Sequence, residues 1–89
     1  MITDEAYGVI CEYVRSSGAK KLVRNELDKE NFGNFVISFM NGDIPCTILC
    51  DRSQIVVYAD LIGEEGCRLA IPNLLEVSKA QLLAAIEQA

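Results

Sequence analysis

The stretch FVISFMNGDIPCTILC, residues 35–50, decides the fold. Phe35, Ile37 and Phe39 alternate with Val36, Ser38 and Met40, the period of two that sends successive side chains to opposite faces of a strand. Asn41-Gly42-Asp43 then interrupts the alternation with a tight-turn signal. Ile44, Cys46, Ile48 and Cys50 resume it against Pro45, Thr47 and Leu49. Pro45 has no N–H to give to a ladder, so it belongs at the start of this strand or on an unpaired side. Two such strands across so short a turn pair antiparallel.

Working outward, Asp51-Arg52-Ser53 is a second turn. It leads into residues 54–61, where Ile55, Val57, Ala59 and Leu61 alternate with Gln54, Val56, Tyr58 and Asp60. The three strands make an antiparallel meander. Gly63-Glu64-Glu65-Gly66 closes it, residues 67–71 read as a short fourth strand, and Pro72-Asn73 breaks that strand. Upstream, residues 4–16 predict a helix. Thr3 stands at its N-cap, with Asp4 and Glu5 where the helix dipole favours negative charge. Ala6, Tyr7, Ile10, Tyr13 and Val14 recur every three or four residues as one apolar stripe, with Val9 on its margin. Ser16-Ser17-Gly18 ends the helix, with Gly18 expected in the left-handed cap position. Residues 19–31 carry no single period: Leu22, Val23 and Leu27 fit a short strand or one helical turn. The charges from Arg24 to Glu30 point to an exposed connection, and Asn31-Phe32-Gly33-Asn34 marks a turn. At the other end, Ser78-Lys79-Ala80-Gln81 is a capping box and Val77 with Leu82 the matching hydrophobic staple. The helix it opens runs over 79–88 with Leu82, Leu83 and Ile86 as its stripe.

These elements predict one two-layer α+β domain over residues 1–89: an N-terminal helix, an antiparallel three- to four-stranded meander and a C-terminal helix. The core face of the meander is Phe35, Ile37, Phe39, Ile44, Cys46, Ile48, Ile55, Val57 and Leu61. Its opposite face carries Val36, Met40, Leu49, Val56, Tyr58 and Ile62, diluted by Ser38 and Thr47 and almost free of charge. An antiparallel sheet that meets water usually alternates apolar with polar residues, and this one does not. The second face therefore calls for a cover: a second copy, another protein, a ligand or the terminal helix itself. Twofold dimers are the commonest oligomers, so the expected interaction surface is Val36, Met40, Leu49, Val56 and Tyr58 in a homodimer.

Composition removes several functions. The 89 residues hold 8 bases and 13 acids, a net charge of -5, and the one basic cluster, Lys20, Lys21 and Arg24, is followed at once by Glu26, Asp28 and Glu30. A phosphate backbone rewards clustered positive charge, so nucleic acid is not the expected partner. A protein with a basic or apolar surface suits this balance better. The longest uncharged run, residues 31–42, spans 12 residues where a membrane helix needs ~20. An acidic N-terminal stretch without a following apolar run predicts a cytoplasmic protein.

Histidine is absent, which removes Ser–His–Asp and Cys–His catalysis. The four cysteines, Cys11, Cys46, Cys50 and Cys67, form no Cys-x-x-Cys pair. Cys46 and Cys50 lie four apart on one strand, roughly 13 Å between Cβ atoms, too far for a disulfide or one ion. Reduced, buried cysteine is the expectation, with no metal and no cofactor. Asp28-Lys29-Glu30-Asn31-Phe32-Gly33 lacks the oxygen ligands of a calcium loop at Phe32 and Phe39. The acids Asp43, Asp51, Asp60, Glu64 and Glu65 read as solvated turn residues. No glycine pattern cradles phosphate. No catalytic residue is nominated.

The order helix, meander, helix is similar to that of the small acidic dimeric chaperones of type III secretion, a likeness of element order without a residue motif. It agrees with a non-enzymatic protein–protein interaction module, adaptor- or chaperone-like. The alternative is a small-molecule-binding domain, with an apolar pocket between the first helix and the sheet rimmed by Tyr7 and Tyr13.

Overall fold

A computed structural model describes residues Met1–Ala89. The chain runs through α1 (Thr3–Ser16), β1 (Lys20–Asp28), β2 (Asn34–Asn41), β3 (Ile44–Asp51), β4 (Gln54–Ala59), β5 (Cys67–Ile71) and α2 (Lys79–Gln88). The strands form one antiparallel sheet in the order β1-β2-β3-β4-β5. The fold is the expected α+β meander between two helices, with five strands rather than three or four.

The added strand is β1, and its pairing explains why its period is hidden. Leu22 lies opposite Phe39 and Leu27 opposite Phe35, yet the two leucines are five residues apart and the phenylalanines four. A bulge between Leu22 and Arg24 absorbs the extra residue and turns both leucines to the same face.

Turn chemistry fixes the meander. Gly42-Asp43 joins β2 to β3, with Gly42 at φ 64°. Arg52-Ser53 joins β3 to β4, and both residues take positive φ, 51° and 65°, as a type I′ hairpin requires. The Asn34 side chain holds that turn, donating from Nδ2 to Asp51 Oδ1 (3.2 Å) and accepting at Oδ1 from the Arg52 N–H (2.8 Å). β4 stops at Ala59 because Asp60, at φ 71°, turns the chain out of the sheet. Leu61, expected in the core, is therefore exposed, and Ile62 leaves the second sheet face for solvent. The returning chain needs Gly66, whose missing Cβ makes room for the Leu61 carbonyl.

Both helices cover the same face of the sheet. Ala6, Ile10, Cys11 and Val14 of α1, with Leu82 and Ile86 of α2, join Phe35, Ile37, Ile48 and Ile55 in one buried cluster. The arrangement with one helix on each face does not occur. Ile71 at the end of β5 and Leu74 beyond it extend this core, and the Leu74 N–H reaches the Ser53 carbonyl at 2.8 Å. The Met1 ammonium donates to the carbonyls of Leu74, Leu75 and Val77, each at 3.2 Å.

The helix ends differ from expectation at α1 and match it at α2. Thr3 is the first helical residue rather than the cap. Ile2 holds the cap position without a side-chain bond, and Thr3 Oγ1 donates weakly to the Phe32 carbonyl at 3.5 Å. The chain leaves α1 through an extended Ser17, φ -86°, and Gly18 is not left-handed. At α2 the capping box is complete: Ser78 Oγ accepts from the Gln81 N–H (3.2 Å) and Gln81 Oε1 from the Ser78 N–H (2.9 Å).

Candidate functional site

With both helices on one side, the other side of the sheet is bare. Its residues fall in rows set by the strand register. Val36, Leu49, Val56 and Ala70 stand opposite one another across β2 to β5, an apolar row four strands wide. The next row is Ser38, Thr47 and Tyr58, where the Ser38 and Thr47 hydroxyls approach to 3.5 Å, and Met40 opposite Pro45 begins a third. Val36, Met40, Leu49, Val56 and Tyr58 are each half-buried, covered by their neighbours in the sheet. The five surface residues read from sequence thus share one continuous face, which Pro45 and Ala70 enlarge. Pro45 follows from its alternation with Ile44 and Cys46, whereas Ala70 joins the row only through the β4–β5 register.

On β1 the same face changes character. Lys21 lies opposite Met40, Arg24 opposite Ser38, Glu26 opposite Val36 and Asp28 opposite Asn34. The border is basic at one end and acidic at the other. Arg24 Nη2 meets Glu26 Oε2 at 2.7 Å, an exposed ion pair that holds the Glu26 carboxyl below the usual carboxylate range and raises the guanidinium.

A second feature lies under the helices. Tyr13 in the last turn of α1 and Ile86 in the last turn of α2 stop short of one end of the sheet, leaving a cavity of about 420 Å³ floored by Phe39, Cys46 and Val57. Ile44, expected in the core, is on the core face but stands at the mouth of this cavity, 51% exposed, because no helix reaches over it. Lys20 and Arg68 line the cavity, as do Asp60 and Glu87. Sequence pattern missed these four because they come from β1, β5, the turn after β4 and α2. The Lys20 ammonium lies 5.4 Å from the centre of the Tyr13 ring. Tyr7, paired with Tyr13 in the sequence reading, is elsewhere. It meets Phe35 edge-on at 5.6 Å, and its hydroxyl accepts from Asn25 Nδ2 at 2.6 Å.

All four thiols are free, and Cys67 on β5 is exposed where burial was expected. Burial pushes the Cys11, Cys46 and Cys50 thiols up. At Cys46 the opposing pull comes from Lys20 and then Arg68. The turn acids are dispersed along the chain. Asp43 lies in the β2–β3 loop, Asp51 against Asn34, Asp60 at the cavity, and Glu64 and Glu65 in a 3-10 turn before β5. No helix is long and apolar enough to cross a membrane.

Architecture therefore gives the class: an α+β domain with two helices on one sheet face and an apolar sheet face left open. Comparison with protein-family models, with characterised proteins and with solved structures gives no match to this chain.

Proposed function

We propose that the protein is a small non-enzymatic interaction module that acts as a homodimer through its open sheet face, in the manner of an adaptor or chaperone. The observation that carries this reading is the apolar row Val36, Leu49, Val56 and Ala70, with Met40 and Tyr58 beside it, on a face that neither helix covers. Exposed apolar patches of this kind are uncommon on monomers and mark contact sites.

Two features favour a second copy. The border on β1 runs Lys21, Arg24, Glu26, Asp28. A twofold axis lying across the strands brings the basic end of one copy toward the acidic end of the other, which fixes register more than it adds affinity. The sheet edges, in turn, are poor templates for strand addition. β1 is charged and bulged, and β5 has only five residues. Contact through the face is the better-supported mode. The net charge of -5 suits a basic or apolar client for the assembled protein. Four free thiols, three of them buried, fit a reducing compartment such as the cytoplasm.

Replacing Val56 or Met40 by glutamate tests the reading. Each variant should lose self-association on a sizing column while its far-ultraviolet circular dichroism stays that of the parent. Unfolding of both variants, or unchanged assembly, would overturn it.

A further inference from the structure

The cavity at the helix ends is independent of the open face, since it lies on the other side of the sheet. Strand register explains why it exists. The middle row of the core face is Ile37, Ile48 and Val57, all bulky, whereas the next row is Phe39, Cys46 and Ala59. Side-chain volume falls across that second row just where both helices end, and the space above it, about 420 Å³, stays open. This volume falls within the ~300–1,000 Å³ range of small-molecule sites, and an apolar floor with a few polar groups is their usual lining.

The rim narrows the ligand. Lys20 and Arg68 are balanced by Asp60 and Glu87, two charges of each sign, so an ion of neither sign gains a net attraction. Both cations are also engaged within the chain. Arg68 Nη1 donates to the Glu65 carbonyl at 3.2 Å, and the Lys20 ammonium lies 5.4 Å from the centre of the Tyr13 ring. An ionised group carried onto the floor would exchange water for Phe39, Val57 and Ile86, none of which can hydrogen-bond to it. The lining does hold two uncharged hydrogen-bonding groups, the Tyr13 hydroxyl and the Asn41 amide.

We propose that this cavity binds one uncharged, largely apolar small molecule that carries a single hydroxyl or carbonyl group. Its apolar body lies on Phe39, Ala59 and Ile86, and its polar end stays with Tyr13 and Asn41. Burial of the body supplies the affinity. Charged analogues lose hydration that the balanced rim does not replace.

Titration of the full chain with 1-octanol, read by isothermal calorimetry and by amide nuclear magnetic resonance shifts, tests the assignment. Octanoate and octylamine, each ionised at about pH 7, are the comparators. The expected result is saturable one-to-one binding of octanol, with shifts centred on Phe39, Cys46, Ala59 and Ile86. Either ion should bind roughly tenfold more weakly or worse. The double variant Lys20→Gln, Glu87→Gln removes one charge of each sign and should bind octanol within about twofold of the parent. Ala59→Leu fills the short row and should abolish binding, while the shifts on the parent chain locate the site whether or not that variant folds. Octanoate or octylamine binding as tightly as octanol, or a loss of roughly tenfold in the double variant, would overturn the uncharged class. No saturable binding of octanol, or shifts centred elsewhere, would overturn the site itself. Neither outcome bears on the dimer, which sizing measurements read separately.

Discussion

Ser53 shows what one residue gives up for the meander. It takes φ 65° beside Arg52 at 51°, in a turn whose geometry asks for asparagine and glycine. A non-glycine residue in the left-handed region costs ~1–2 kcal/mol, and glycine adds back ~0.5–1 kcal/mol of unfolded-state entropy. Ser53→Gly should therefore stabilise the protein by about 1 kcal/mol, seen as a higher urea midpoint at unchanged slope. The Ser53 carbonyl bond to Leu74 survives the change, since it is a backbone contact. The thiols give a second test at this scale. Cys67 is exposed and Cys11, Cys46 and Cys50 are buried, so iodoacetamide should label one site quickly on the native protein and all four in urea. Because burial raises the three buried thiols, the folded state keeps protons that the unfolded chain releases. Their contribution is complete below ~8.5 and falls as pH rises through the native values, so the urea midpoint should drop from about pH 8 to about pH 10.

Among the elements, those built from one unbroken period were legible and those that depend on tertiary geometry were not. Phe35, Ile37 and Phe39 on β2 and Cys46 and Ile48 on β3 are buried as their alternation predicts, and the Ser78–Gln81 box opens α2 where expected. β1 is hidden because its bulge puts Leu22 and Leu27, an odd distance apart, on one face, with Val23, Arg24, Asn25 and Glu26 between them. The alternation gives Ile44 its face but not its exposure, since period two sets direction and not where the covering helices end. The five open-face residues could be read because alternation assigns faces directly; Lys20 and Arg68 at the cavity could not, being 48 positions apart in the numbering and on the two edge strands of the sheet. Thr3 is of a type that suits a cap, yet its hydroxyl turns to Phe32. The two helix starts should therefore respond differently to alanine. Ser78→Ala loses the Oγ half of the box, while the Ser78 N–H can still donate to Gln81 Oε1, and should cost about 1 kcal/mol. Thr3→Ala loses one long, exposed bond and should shift the urea midpoint by less than about 0.5 kcal/mol equivalent.

For the molecule as a whole, the decisive asymmetry is two helices on one side of five strands and none on the other. A layered domain buries each apolar face against something, and here the second layer is missing on the Val36–Leu49–Val56–Ala70 side. A second copy would complete a four-layer arrangement, helices outside and two sheets packed face to face at ~10 Å. A glutamate placed at Val56 would leave an unpaired charge in that interface at a cost of roughly 3–5 kcal/mol, enough to move a micromolar dimer into the millimolar range. The most direct test is the solution mass of the unmodified chain, by light scattering on a sizing column at two protein concentrations. A species of twice 9.8 kDa is expected at the higher concentration, dissociating only on dilution or with glutamate at position 56. A single 9.8 kDa species at both concentrations would contradict it.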